Sequence, residues 1–129
     1  MNLHWLFAFG LTQVIEGPIY YYALGSDRAL STGVPAPPAR PPVERVLLAL
    51  LPSALTHPML WFALFPPLYR AMGYWPSVVA SEVVVWLVEA AILHALTRRS
   101  IPRALSWALG ANLASVILGL ITSEVFGWP

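Results

Sequence analysis

The chain reads as an all-α, polytopic integral membrane protein: four transmembrane helices in an antiparallel bundle with proline kinks. Three observations predict this. Of 129 residues, 58% are hydrophobic and 10% charged, and mean hydropathy is +0.68, so polar side chains are too few to cover a water-soluble globule of this size. Four mostly apolar runs, 3–24, 46–65, 77–96 and 104–126, each come close to the roughly 20 residues a helix needs to cross about 30 Å of hydrocarbon. The runs are continuously apolar rather than alternating, which argues against the ten-residue strands of a barrel. All four belong to one transmembrane domain spanning 1–129.

The first run has no Lys or Arg ahead of it and carries Glu16 in its second half. It is therefore expected to remain as a span rather than to be removed as a signal peptide. Loop one, 25–45, holds Pro35, Pro37, Pro38, Pro41 and Pro42 among Ala and Val. That composition favours extended polyproline II and forms no packed core, which makes it a stiff solvated connector, with a ligand for an aromatic groove as the alternative. Pro66-Pro67 is expected to stop the second helix, and Pro76 to open the third within its first turn. Loop two, 66–76, then lies in the interface, and spans two and three become antiparallel neighbours.

Arginine placement sets the orientation. Loop one contains Arg28, Arg40 and Arg45, loop three, 97–103, contains Arg98, Arg99 and Arg103, and loop two has only Arg70. Odd-numbered loops share a side, so the positive-inside rule puts 25–45 and 97–103 in the cytoplasm and both termini outside. Aromatic residues fit, with Trp5, Tyr69, Tyr74, Trp75 and Trp128 at the outer interface and Tyr20, Tyr21, Tyr22 and Trp107 nearer the inner one. A bacterial inner membrane is the expected location, because the chain is short and carries no organelle-targeting segment. The arginines sit at span ends rather than in a patch, so the partner is the lipid bilayer and not a nucleic acid. The absence of cysteine excludes disulfides, thiolate metal sites and a cysteine nucleophile.

The informative residues are the polar ones inside the spans. An ionised side chain at a helix centre costs roughly 2.5–3.5 kcal/mol on insertion scales, so each needs a partner, a water-filled cavity or a proton. Counting depth along antiparallel spans puts Glu16, His57, Glu89, Asn112 and Ser115 within about two turns of the midplane, and Glu82 somewhat closer to the outer face. His4, His94 and Glu124 fall near span ends, where snorkelling makes them cheap. Helical periodicity then groups the deep ones. Gln13, Glu16, Gly17 and Tyr20 share a stripe on span one, Ser53, His57 and Trp61 on span two, and Glu82, Trp86 and Glu89 on span three. On span four Asn112 and Ser115 stand beside the small-residue stripe Ala111, Ser115, Gly119, which suits close helix packing. Pro18 and Pro58 each follow a central polar residue and leave the carbonyls of Val14 and Ala54 without their helical donors, giving two kinks where a cavity or polar group can take up the freed backbone.

No phosphate-binding Gly loop, GxSxG elbow or HExxH motif is present. Ser53 or Ser81 beside His57 has the residue types of a hydrolase pair, but a helical serine more commonly bonds a backbone carbonyl. His57 with Glu16 or Glu89 has the donor types of a Zn²⁺ or Fe²⁺ site, yet ligands spread over three helices carry no spacing signature, and no cofactor is expected. Three functions stay open. The first is proton-coupled transport of a small solute or ion through a Glu16, His57, Glu89 and Asn112 centre; four helices enclose little volume, so this asks for a homo-oligomer or a larger membrane complex. The second is a non-catalytic membrane subunit whose buried polar groups only hold helices together. The third is a membrane enzyme acting on a lipid or isoprenoid, with a glutamic acid and His57 as acid and base.

Overall fold

The computed structural model of the chain describes residues 3–25, 40–97 and 100–127. Arg28, Pro35, Pro37, Pro38, Arg98, Arg99 and Trp128 lie outside these, and with them most of the proline-rich loop. All regular structure among the described residues is helical. Helix α1 is Leu3–Gly25 and α2 is Pro42–Pro58; a π-helical turn, Met59–Leu64, joins α2 without a break to α3, Phe65–Met72; α4 is Tyr74–Thr97 and α5 is Ile101–Phe126.

Three boundaries differ from the sequence expectation. Pro66-Pro67 does not stop the second helix. Both prolines fall in the first turn of α3, and the wider π turn before them takes up the local loss of donors, so one helix runs from Pro42 to Met72, 31 residues. The expected interfacial loop shrinks to Gly73, whose φ of +79° is the left-handed turn that glycine adopts without strain. At the other end α2 starts at Pro42 rather than 46, behind Pro41 at φ −54° and ψ 145°, and α5 starts at Ile101 rather than 104, because proline in the first turn is compatible with a helix start.

The helices Pro42–Met72, Tyr74–Thr97 and Ile101–Val125 are long and apolar enough to cross a membrane. α1, of 23 residues, is not among them. Only 28%, 28% and 22% of the most apolar windows of the three long helices are buried inside the protein, the reverse of a water-soluble fold, in which apolar side chains are what the core hides. Val14, Val79, Leu87, Leu113 and Ile117 all point outward.

α1 packs on α2 and α5, and α4 packs on α2, α3 and α5, so the four rods close into a ring in the order α1, α2, α4, α5. Pairings along α1 and α2 run in opposite directions, Tyr21 with Arg45, Glu16 with Ser53, Trp5 with Phe62. Those of α2–α3 with α4 do likewise, Arg40 with Leu96, Thr56 with Glu89, Phe65 with Tyr74. Gly17 lets α1 and α2 approach: a Cβ there would stand 3.1 Å from a methyl of Leu50.

The bundle is filled unevenly. At the end where α2 begins, Tyr20, Leu24, Ala49, Ala90, Leu93, Ala104, Ala108 and Ala111 form one dry cluster, closed by alanines that draw the backbones together. Arg45 caps it, donating to the Tyr21 carbonyl at 2.7 and 3.1 Å with its guanidinium 3.8 Å from the Tyr21 ring centroid, and Arg40 donates to the Leu96 carbonyl at 2.5 Å. Cations at the carbonyl ends of α1 and α4 complement the helix dipoles. Towards the Gly73 turn this packing gives way to a cavity.

Candidate functional site

The cavity measures about 440 Å³ and is bounded by α1, α2, the π turn, the start of α3, α4 and α5. Its walls near the Gly73 end are Trp61, Phe65, Tyr74 and Ser123; its deep end is Glu16, Glu89, Asn112 and Ser115. All six residues singled out in the spans, Glu16, His57, Glu82, Glu89, Asn112 and Ser115, line this one space. None points outward: Glu16, His57, Glu89 and Asn112 are buried, Glu82 and Ser115 half-buried.

Two carboxyl groups organise the deep end. Glu89 of α4 accepts from the Thr56 hydroxyl at 2.6 Å, from the Asn112 amide at 2.5 Å and from the Tyr20 hydroxyl. Glu16 of α1 accepts from the Ser115 hydroxyl at 2.5 Å and from the Ser53 hydroxyl. The donors follow a rule of helical geometry, since residues three apart share a face. One turn of α2 supplies Ser53 to Glu16 and Thr56 to Glu89. One turn of α5 supplies Asn112 to Glu89 and Ser115 to Glu16. The two acids therefore sit within electrostatic reach of each other, with Glu82 adding a third carboxyl one and a half to two turns nearer the cavity mouth. Glu82 takes no hydrogen bond from a described residue.

Every donor to these carboxyls is neutral. Among the described residues no Arg lines the cavity, the sequence has no Lys, and the ion pair formed among them, Arg40 with Glu44 at 3.8 Å, lies at the far end on the surface. His57 does not balance the charge by direct contact. Its ring is enclosed by Phe9, Trp61 and Trp5, with centroids at 5.4, 6.1 and 6.3 Å, and its buried Nε2 has no hydrogen-bond partner. The Trp5 and Gln13 side-chain nitrogens are likewise buried without one.

Several expectations change here. Tyr20, expected near the inner interface with Tyr21 and Tyr22, is fully buried and bonds Glu89, whereas Tyr22 is exposed. Trp5, expected in an outer aromatic ring, packs inward against Phe9, Phe62 and His57. Trp86 shares a helix face with the two acids but leaves the cavity, donating to the Leu105 carbonyl at 2.8 Å. Ser81 bonds the carbonyls of Ser77 and Val78, and Ser53 is committed to Glu16, so neither forms a pair with His57. Among the described residues no three of His, Asp and Glu are grouped to hold a metal ion. The stripe Ala111, Ser115, Gly119 packs tightly only at Ala111; at Gly119 a Cβ would meet open space.

The two proline positions also resolve differently. Pro18 lies inside α1 without ending it, and Val14, whose carbonyl it frees, faces outward rather than into the cavity. Pro58 ends α2, and the π turn it leads into carries Leu60 and Trp61 into the cavity wall. Thr56, as important to Glu89 as Asn112 is, escaped the sequence reading; its signal was its position three residues after Ser53. Pro52, fully buried within α2, was also missed.

No known protein family, curated protein or solved structure matches the chain.

Proposed function

We propose that this is a small four-span membrane protein that binds a small solute in a one-ended cavity at mid-depth and moves it in exchange with protons. α1 is taken as the fourth span, since it pairs along its length with α2 and α5 and delivers Glu16 to the same level as Glu89. Arg40, Arg45 and Arg103 then mark the cytoplasmic end, which puts the cavity mouth and both termini on the outer side of a bacterial inner membrane. The observation that carries the reading is the convergence of three carboxyl groups on one cavity that contains no compensating cationic side chain. Charge there must be balanced from outside, by protons or by cargo, and the two compete for the same acids. Competition of that kind is what coupling requires.

The dry floor of the cavity corresponds to one closed gate. Opening it means moving helices across the Tyr20–Ala108–Ala111 contacts, and a second copy or a partner subunit would stabilise the alternate packing. The test is proton movement in proteoliposomes, read with an entrapped pH-sensitive dye as small solutes are added. Wild-type protein should show solute-dependent proton flux and Glu89→Gln should lose it while still folding; unchanged flux in the variant rejects the proposal.

A non-transporting subunit is the second reading, favoured by the complete satisfaction of Glu16 and Glu89 by neutral donors. It leaves Glu82, the Nε2 of His57 and the cavity itself without a purpose. The enzyme reading has least support, because His57 is walled by aromatic rings and touches neither hydrogen-bonded acid.

A further inference from the structure

We infer that the solute is a small organic monocation, an ammonium group carried on an apolar body. This rests on the solute-binding reading above and narrows it to a chemical class.

Charge excludes the alternatives of opposite sign. Glu16, Glu82 and Glu89 face the cavity with no Arg among its walls, so an anion would meet like charge in a medium of low dielectric. Size and ligand arrangement argue against a bare metal ion. About 440 Å³ lies within the range of pockets that hold small organic ligands, and the described residues contain no three-membered His, Asp and Glu group placed around one point.

The wall supplies what an ammonium group on an apolar body needs. Trp61, Phe65 and Tyr74 line the wall near the mouth, and aromatic rings attract desolvated cations. Val78, Val85 and Leu120 provide apolar lining between the rings and the acids. His57 adds its ring to the same wall, while its Nε2 stays buried behind Phe9, Trp61 and Trp5. Glu82, with no hydrogen-bond donor among the described residues, is the carboxyl best placed to receive the charge first, ahead of the satisfied pair below it.

The experiment compares choline with 3,3-dimethyl-1-butanol, its neutral isostere, for binding to the purified full chain in nanodiscs by isothermal titration. Choline should bind at least tenfold more tightly than the alcohol. Glu82→Gln should weaken choline about tenfold and leave the alcohol unaffected, and Gly119→Leu, which fills the cavity, should remove both. Equal affinity for the two probes would overturn the cation inference while leaving a solute cavity intact. Binding of sodium with no binding of choline would overturn it in favour of an inorganic ion. If neither probe nor sodium binds the wild type, the inference falls, and the proton-flux assay separately decides the transport reading.

Discussion

The two ends of the bundle use the same four rods to opposite ends. At the arginine end, alanines at 49, 90, 104, 108 and 111 bring backbones into contact around Tyr20 and Leu93, and the helix termini are capped by Arg40 and Arg45. Towards Gly73 the same helices hold Glu82, His57 and Gly119 around open volume. The Glu16–Glu89 layer is the boundary, satisfied from both sides by one turn of α2 and one turn of α5. The difference teaches that small residues alone do not set packing: Ala111 and Gly119 belong to one stripe, yet one is sealed and the other faces space. Ala111 belongs to the alanine cluster, whereas Gly119 lines the cavity, as Leu60 and Trp61 of the π turn do.

Substitutions that attack the boundary should have the largest effect. Glu89→Ala removes the interhelical bonds from Tyr20, Thr56 and Asn112, and at about 0.6–1.7 kcal/mol per interhelical contact in membranes the loss should total about 2–5 kcal/mol, measured by denaturant titration in bicelles. A loss no larger than that of an outward-facing Leu113→Ala would show that the layer does not hold the halves together.

Next comes the contrast within one stripe. Ala108→Leu, in the dry half, should cost about 1–3 kcal/mol by overpacking, whereas Gly119→Leu should leave stability within about 0.5 kcal/mol because nothing stands in its way. Equal penalties at the two positions would erase the distinction between the ends.

Arg45→Ala tests the cap. Losing two bonds to the Tyr21 carbonyl and the stacked ring should destabilise by about 1–2 kcal/mol, and Arg45→Lys should recover only part of it, since an ammonium cannot reproduce the planar fork. Full rescue by lysine would mean that charge alone matters there.

Smallest in stability is Glu82→Gln. Without a protein donor to strand, it should shift unfolding by less than about 0.5 kcal/mol while lowering solute-dependent proton flux at least tenfold. A flux equal to wild type would move the functional load back to the satisfied pair.

Much of this was legible in the sequence, for identifiable reasons. The cost of ionisable groups in hydrocarbon is large enough that Glu16, His57, Glu82, Glu89, Asn112 and Ser115 announce themselves, and helical periodicity puts them on inward faces. The helix ends were less legible, because Pro66-Pro67 is read locally as a stop, whereas a π turn lets a helix absorb it. Tyr20 and Thr56 were hard to single out because neither carries a charge; their importance comes only from which carboxyl the bundle brings to them. Trp86 shows the converse, since a shared stripe does not dictate where a long side chain turns. α1 stands apart from the other helices in what it brings to the interior, Glu16 and Tyr20, both buried.

The central claim is that a cavity with a polar deep end reaches the acid pair from one face and stops there. The chain contains no cysteine, so single cysteines can be placed without removing any. With Ser123→Cys, Gly119→Cys, Leu93→Cys and Ala108→Cys in sealed vesicles of known orientation, a membrane-impermeant cationic thiol reagent should modify the first two from the outer side only, and should not modify the last two from either side. Modification at Leu93 or Ala108, or none at Ser123 and Gly119, would contradict the account.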